Sequence, residues 1–256
     1  MKTAIMCILG FSIITSTLNA SYSSYYYKLK EFSDTLSKST KDKKELPYST
    51  PVKNNTLLKK KVFSFLGCDR VYHNPILDSC YSFKKKSAIA VAYHIDGNLV
   101  YKIDLEKRPS WKYNLAIPKK YRSENSDYSY NIYDKGHLCF DSMADYNKRV
   151  LGYTYDLNIN SVPMVEKVNR VTWRKAESRA KKIAYKYGYA NIIDIMDFTK
   201  HPQKMGRNNI SIARGFYKII NNKDAGIKEC YYYKNDKHIN TNNDTLNDHK
   251  IMCPTF

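Results

Sequence analysis

The segment from Tyr133 to Glu177 constrains the fold more than any other part of this 256-residue chain. It opens on extended, strand-like residues in which Gly136 precedes His137, the pattern of a strand that ends in a turn. Apolar residues then recur at helical spacing from about residue 165 to residue 187, and Gly188 is a suitable helix stop. The segment therefore predicts a strand, a turn and a long amphipathic helix in close succession.

The rest of the chain is rich in strand patterns. Residues 87–95 form an apolar, β-branched run, and Asp96-Gly97-Asn98 is a turn signal, so a β-hairpin with residues 99–103 is expected. Residues 106–131 contain Pro109 and Pro118 and are expected to form a long loop. Further strands are predicted at residues 132–138, 157–160, 190–198, 210–220 and 229–234. This order indicates one α+β domain in which a helix crosses a central antiparallel sheet.

The charge balance favours a polyanionic partner. Lys and Arg number 43 against 24 Asp and Glu, giving a net charge of +19. A surface this basic attracts nucleic acid, anionic membrane faces or acidic glycans. The 24 tyrosines would suit stacking on bases beside phosphate contacts. Solubility of a Lys-rich, Asn-rich protein is the alternative explanation of the charge, and Tyr is also an ordinary strand residue.

The N-terminus has the pattern of a secretory signal peptide. Lys2 is followed by an apolar run over residues 4–18 that is too short and too often interrupted by Ser and Thr to span a bilayer. Cleavage is expected after Ala20, which predicts a secreted or periplasmic protein with no membrane segment in its mature form; a retained anchor is the alternative. Residues 21–61 are expected to form a basic, mobile arm, and residues 62–256 a single domain.

Export makes disulfides possible for the five cysteines that remain after cleavage. We expect Cys68 to pair with Cys80 across a short loop, and Cys230 to pair with Cys253 near the C-terminus. Cys139 is left as a free thiol. The spacings match no zinc cluster, because no C-x-x-C pair occurs.

Three residues of the segment could share one reaction centre. His137 is suited to take a proton from water at neutral pH. Asn169 and Glu177 are eight residues apart, so on one helix they differ by about 80° in azimuth and about 12 Å in rise. One could bind a magnesium ion directly while the other holds a bound water. Taken singly, each has an ordinary explanation: a turn histidine, a helix-start polar residue and a surface carboxylate paired with Lys181.

Arg108 and Lys181 are weaker candidates for the same reaction centre. Arg108 lies in the predicted loop and could grip phosphate with two donors, and Lys181 could neutralise a further oxygen. Trp173 is more often a core residue than a site residue, and His94, within an apolar strand, is expected to be structural. Together with the segment, these residues suggest metal-assisted phosphodiester hydrolysis.

The segment resembles the DNA/RNA non-specific endonucleases of the ββα-metal superfamily, the Serratia nuclease and endonuclease G type. Asp134-Lys135-Gly136-His137-Leu138 is similar to their first signature. Asn160-Ser161-Val162-Pro163, followed by the Asn169-x3-Trp173-x3-Glu177 spacing, is similar to their second. Upstream, residues 91–95 resemble the first strand of that family, and Arg108 stands ahead of Trp111 as in the family. The resemblance covers about residues 62–235.

This resemblance implies a central antiparallel sheet with a ββα-metal (His-Me finger) motif. It implies magnesium as cofactor, replaceable by manganese, and DNA and probably RNA as substrates, cut without sequence specificity. Within that motif, Asp134 and Gly136 are supporting residues. The implied roles are general base for His137, sole direct metal ligand for Asn169, holder of a metal-bound water for Glu177, phosphate positioning for Asn160 and Arg108, and leaving-group stabilisation for Lys181.

The sequence departs from the family pattern at several positions. Lys135 replaces Arg, Met164 replaces Gln, and Cys139-Phe140 replaces Ala-Pro. None of these changes removes the base or the ligand, so we expect activity. They favour, as the alternative, a non-catalytic extracytoplasmic nucleic-acid-binding protein; a cationic membrane-active toxin is a weaker third hypothesis. The sequence specifies neither oligomeric state nor a preference between DNA and RNA.

Overall fold

A computed structural model describes residues 56–255, and an antiparallel sheet forms their centre. The sheet order is β1–β2–β3–β6–β9–β10–β11, and β4–β5 and β7–β8 form separate two-stranded pairs. The strands, in chain order, are β1 (Arg70–His73), β2 (Leu77–Ser82), β3 (Ser87–Asp96), β4 (Tyr133–His137), β5 (Ser161–Val165), β6 (Tyr189–Asp197), β7 (Lys204–Met205), β8 (Ile210–Ser211), β9 (Gly215–Asn222), β10 (Ile227–Lys234) and β11 (Lys250–Ile251).

The helices described are α1 (Thr56–Leu66), α2 (Lys148–Thr154) and α3 (Arg174–Tyr187). A π-helical turn, Val168–Trp173, leads directly into α3. Short 3₁₀ turns occur at Lys119–Tyr121, Asn125–Tyr128, Asp141–Met143 and Asn247–His249. No helix in the described part of the chain is both long enough and apolar enough to cross a bilayer.

The sheet is covered on both faces, which explains its nearly continuous apolar strands. On one face, Val62 and Phe63 of α1 pack over Ala92, Ile193 and Ile219. On the other face, α3 buries a stripe of alanines and Ile183. The fold is therefore α+β with a large antiparallel sheet, as expected from the sequence.

The segment that opened the sequence analysis forms a ββα unit. β4 pairs antiparallel with β5, and His137 lies opposite Ser161 at the end of the ribbon. The chain then passes through the π-helical turn into α3, which ends at Gly188 with a positive φ of 87°. Pro163 is accommodated in β5 because this strand pairs on one side only; on its other side the Asn235 side chain bonds the Val165 N–H and the Pro163 carbonyl.

The prediction of a β-hairpin after β3 is wrong, because residues 99–103 do not form a strand. Residues 97–102 form turns, and β3 pairs with β2 and β6. The cause is the approach of α3: the Gly97 N–H donates to the Gly188 carbonyl at 2.8 Å, and a side chain at Gly97 would collide with the Ala184 carbonyl. The turn signal was correct, but the chain turns against a helix end and does not return as a strand.

Other boundaries also differ. Residues 157–160 form a turn, and the strand begins at Ser161. The expected strand at 210–220 is split into β8 and β9. Helices α1 and α2 and strands β1 and β2 were not predicted, and α1 crosses the boundary placed between residues 61 and 62. The predicted signal peptide and residues 21–55 of the predicted arm lie outside the described residues.

The cysteines pair as expected from the sequence. Cys68 is bonded to Cys80 and Cys230 to Cys253, with Cα–Cα distances of 5.2 and 5.1 Å. Cys139 is free and buried. The first disulfide joins the end of α1 to β2, and the second joins the C-terminal residues to β10.

Trp173 is fully buried, as expected, and belongs to a column of rings. Its ring meets Tyr233 edge-on at 5.4 Å, and Tyr233 stacks on His249 at 4.0 Å. The Trp173 Nε1–H donates to the His137 carbonyl at 3.3 Å. The column thus connects the C-terminal segment to the end of β4.

Candidate active site

The His137 ring is enclosed but has no hydrogen bond at one nitrogen. Trp111 lies 4.5 Å from it between ring centroids, and Tyr155 meets it edge-on at 4.8 Å. Its Nε2 is buried without a partner among the described residues. Burial lowers the pKa of His137 to about 4, against the attraction of Asp141. The imidazole is therefore neutral at pH 7 and able to accept a proton.

Arg108 lies close to this ring but is held by carboxylates. Its guanidinium is ion-paired with Asp145 and lies 3.6 Å from Asp141 and 3.7 Å from Asp104. The hydrogen bond to Asp145 raises the pKa of Arg108. A phosphate contact by Arg108 must therefore share this cation with the carboxylates that already surround it.

Asn169 lies in the π-helical turn, with its amide oriented by Asp134. The Asn169 Nδ2 donates to Asp134 Oδ2 at 2.9 Å, which leaves Oδ1 as an oxygen without a partner among the described residues. The amide orientation follows from this hydrogen bond, since only the nitrogen can donate to a carboxylate. Arg170 holds the same carboxylate with two hydrogen bonds of 2.7 and 2.8 Å. Asp134 thus links the Asn169 amide to the Arg170 guanidinium.

Glu177 lies one α-helical turn beyond Trp173, in α3. Its carboxylate has no hydrogen bond within residues 56–255, and burial raises the pKa of Glu177 to about 8. Lys218 opposes this increase, while Asp141 and Asp194 add to it. Asp141 therefore acts electrostatically on both Glu177 and His137.

Lys181 faces the same group of carboxylates. Its Nζ donates to the Ser142 carbonyl at 3.2 Å. Burial lowers the pKa of Lys181, and Asp145, Asp104, Glu177 and Asp141 oppose the shift. The structure therefore brings Lys181 to the acidic side of the site, between Glu177 and the carboxylates that hold Arg108.

Asn160 does not have the phosphate-positioning role that the resemblance implied. Its side chain is fully buried, and its amide bonds the Cys139 N–H at 2.7 Å, the Cys139 carbonyl at 2.8 Å and the Thr154 carbonyl at 2.7 Å. No polar atom is left for a substrate. Asn160 instead fixes the backbone that follows His137, and so supports the position of the His137 side chain.

Gly136 has no room for a side chain, because the Met164 side chain occupies the space beside it. The ribbon pairs Gly136 with Val162, and Met164 reaches across from β5. A larger residue at 136 would displace Met164 and push the two strands apart.

The residues present are suited to a magnesium ion. Oxygen ligands are what this ion prefers, and it keeps several of its waters. The Asn169 Oδ1 and the Glu177 carboxyl group offer oxygens of this kind, without protein partners in the described chain, and a cation nearby would favour ionised Glu177 against the effect of burial. Residues 56–255 contain no cluster of three or more His, Cys, Asp or Glu side chains suited to a metal. A site with one amide ligand would not be such a cluster.

The chain matches one protein family over most of its length. The model of the DNA/RNA non-specific endonuclease family matches residues 54–251. The chain belongs to the DNA/RNA non-specific endonuclease family. The match spans all eleven strands and all but the last residues of the described chain.

Individual members of the family are more distant. The mitochondrial endonuclease G of Caenorhabditis elegans is 24% identical over 163 residues, which is 59% of this chain and 52% of that protein. The chain therefore spans about half the length of this relative. The solved structure of the EndoG/EndoGI complex, described as showing the mechanism of EndoG inhibition, has 22% identity and a TM-score of 0.67, covering 80% of this chain and 88% of that one. It shows a shared fold.

The sequence did not show which residues pack around His137. Trp111 and Tyr155 contact the His137 ring, and the Tyr155 hydroxyl donates to Asp141 at 2.8 Å. Asp141 lies four residues after His137, so a carboxylate just beyond the endonuclease signature was the available signal. The two aromatic residues carried no signal of this kind, because they come from a loop and from the end of α2.

Proposed function

We propose that the mature chain is a secreted, magnesium-dependent endonuclease that hydrolyses phosphodiester bonds of DNA and RNA without sequence specificity. The observation that carries the proposal is the His137 ring, which is partly buried, packed between Trp111 and Tyr155, and neutral at pH 7. A neutral imidazole held in place by packing is suited to act as a general base. Membership of the endonuclease family supports the same reaction.

In this mechanism, His137 takes a proton from the water that attacks phosphorus. Trp111 and Tyr155 hold the ring in place and exclude bulk water from it. Asn160 fixes the backbone of Cys139, so the base cannot move away from its strand end. Lys181 stabilises negative charge on a phosphate oxygen, and Arg108 contributes positive charge from within its group of carboxylates.

The Asn169 Oδ1 would hold the magnesium ion, and Glu177 would hold one of its waters. The bound ion supplies stabilisation of the negative charge that develops on phosphate in the transition state. The hydrogen bond to Asp134 fixes the Asn169 amide so that its Oδ1 is left for the ion. Export through the N-terminal signal peptide is part of the proposal, and two disulfides are consistent with an oxidising compartment.

The proposal is tested by cleavage of plasmid DNA and of RNA by the purified mature chain. We expect both to be cut with magnesium or manganese, and EDTA to abolish cleavage until excess metal is restored. Binding without cleavage under every metal condition would support the non-catalytic binding protein. Vesicle leakage that is insensitive to EDTA would support the membrane-active alternative.

The acid limb of activity should lie well below neutral pH. A base with a pKa near 4 stays neutral as the pH falls from 7 to 5, so kcat/KM at saturating magnesium should not decline through loss of the base until the pH approaches 4. An ordinary histidine would give a decline centred near pH 6.5. NMR titration of the His137 ring in the metal-free protein measures the same midpoint directly.

The same shift affects stability. The pKa of His137 is lower in the folded protein than in the unfolded chain, so its contribution to stability is complete above about pH 6.5 and is lost as the pH falls towards 4. A Glu177→Gln variant is the control, because the raised pKa of Glu177 makes its protonation contribute to stability over the same pH range. If the free energy of unfolding of this variant does not fall between pH 6.5 and pH 4, the burial argument for His137 is wrong.

A further inference from the structure

One face of α3 continues beyond the proposed active site. Glu177, Lys181 and Tyr185 follow at intervals of four residues, so they lie along one side of the helix. Tyr185 is about 12 Å further along the helix axis than Glu177. The ring of Tyr185 is therefore carried away from the reaction centre on the same rigid element that carries Glu177 and Lys181.

Tyr101 completes an exposed aromatic pair with Tyr185. The two rings meet edge-on with centroids 5.6 Å apart, and the Lys181 ammonium lies 4.6 Å from the Tyr101 ring centroid. Tyr101 is 40% exposed and Tyr185 45% exposed. Tyr101 also has a φ of 61°, a backbone conformation that a bulky residue rarely adopts and that often accompanies function.

This pair has the chemistry of a platform for unpaired bases. Proteins that bind single strands combine aromatic rings for base stacking with positive charge along the backbone. Lys181 supplies charge at the pair, and the high net charge of the chain favours a polyanion. Bases within a duplex are stacked on one another and cannot present their faces to such rings.

We propose that Tyr101 and Tyr185 form a stacking subsite for an unpaired base of the substrate strand, beside the proposed active site. The inference rests on the proposed nuclease function and adds a substrate class to it. The subsite favours single-stranded DNA or RNA over duplex DNA. It leaves the choice between deoxyribose and ribose open, because stacking reads the face of the base.

The test compares the wild type with a Tyr101→Ala/Tyr185→Ala double variant. KM is measured for an oligo(dT) single strand and for a duplex of the same length, and Kd for labelled oligo(dT) is measured by fluorescence anisotropy without metal. We expect KM and Kd for the single strand to rise roughly five- to a hundredfold, and KM for the duplex to change less than twofold. A Tyr101→Phe/Tyr185→Phe variant should retain single-strand binding, because the ring faces remain.

Two controls isolate stacking. Tyr187 is also exposed, also lies beside a lysine and is on α3, but it points about 200° away from Tyr185, so Tyr187→Ala should leave all values unchanged. An abasic oligonucleotide keeps the phosphates without the bases, so it should bind wild type and double variant alike. Equal losses on single strand, duplex and abasic strand, or no loss on any of them, would overturn the subsite. A wild type that binds but never cleaves would refute the proposed function, while the Kd values would still decide the subsite.

Discussion

Replacing His137 by alanine should lower kcat for DNA cleavage by about 10²- to 10⁴-fold, the usual contribution of a general base. The variant removes the only ring nitrogen that is buried and unpartnered at the proposed site. DNA binding should persist, since the basic surface is unchanged. The measurement is a plasmid nicking assay with magnesium, together with Kd for the same DNA.

His201→Ala is the matched control for this loss. His201 is an exposed histidine, so its removal should leave both kcat and Kd unchanged. A melting curve of each variant separates catalysis from folding, because the Trp111 and Tyr155 rings lose a packing partner when His137 is removed. If His137→Ala folds and cuts at a rate near that of the wild type, His137 is not the base.

Replacing Asn169 by alanine should lower cleavage by about 10²-fold or more and raise the magnesium concentration needed for half-maximal activity. The amide oxygen is the one proposed direct ligand, and a metal ion that stabilises transition-state charge is worth several kcal/mol. Asn169→Asp retains an oxygen and should keep part of the activity. The measurement is the initial rate of cleavage over a magnesium titration.

The orientation of Asn169 can be tested separately. Asp134→Ala leaves the amide without its hydrogen-bond partner, and loss of such a supporting group typically costs 10- to 100-fold, about the range expected here. Arg170→Ala is its control: the Arg170 pair with Asp134 is exposed and screened by solvent, so removing it should change stability and activity little. If both variants retain wild-type magnesium dependence, Asn169 does not hold the metal as proposed.

The elements predicted correctly are those whose own residues carry the hydrophobic pattern of a buried strand or helix. β3 and β6 are apolar and β-branched, β10 contains three successive tyrosines, and α3 has an apolar stripe and ends at Gly188. These patterns are local, so no knowledge of the neighbouring elements is needed. The two disulfides were predictable for a similar reason, since only a short loop or the chain end had to be closed.

The elements missed depend on partners from elsewhere in the chain. Strand β2 is buried although it contains Asp78, because Lys59 of α1 and His73 of β1 bond that carboxylate at 2.8 and 2.6 Å. Neither contact can be inferred from residues 77–82 alone. The false hairpin has the same origin: Gly97 turns against the end of α3, which is distant in sequence.

At the site, the sequence predicted which segments converge but not how each side chain is used. The spacing of His137, Asn169 and Glu177 pointed to one centre, and their surroundings are consistent with it. Asn160 belonged to the same pattern and is instead a buried backbone clamp. An amide in a motif can face either the substrate or the backbone, and only its hydrogen bonds distinguish the two.

The ring column connects the C-terminal segment to His137, although the two are far apart in sequence. His249 stacks on Tyr233, Tyr233 meets Trp173, and Trp173 bonds the carbonyl of His137 itself. The Cys230–Cys253 disulfide secures the segment that carries His249. We therefore expect reductants, or removal of the last residues by a protease, to weaken the packing that supports His137, the proposed base, without altering any residue proposed to meet the substrate.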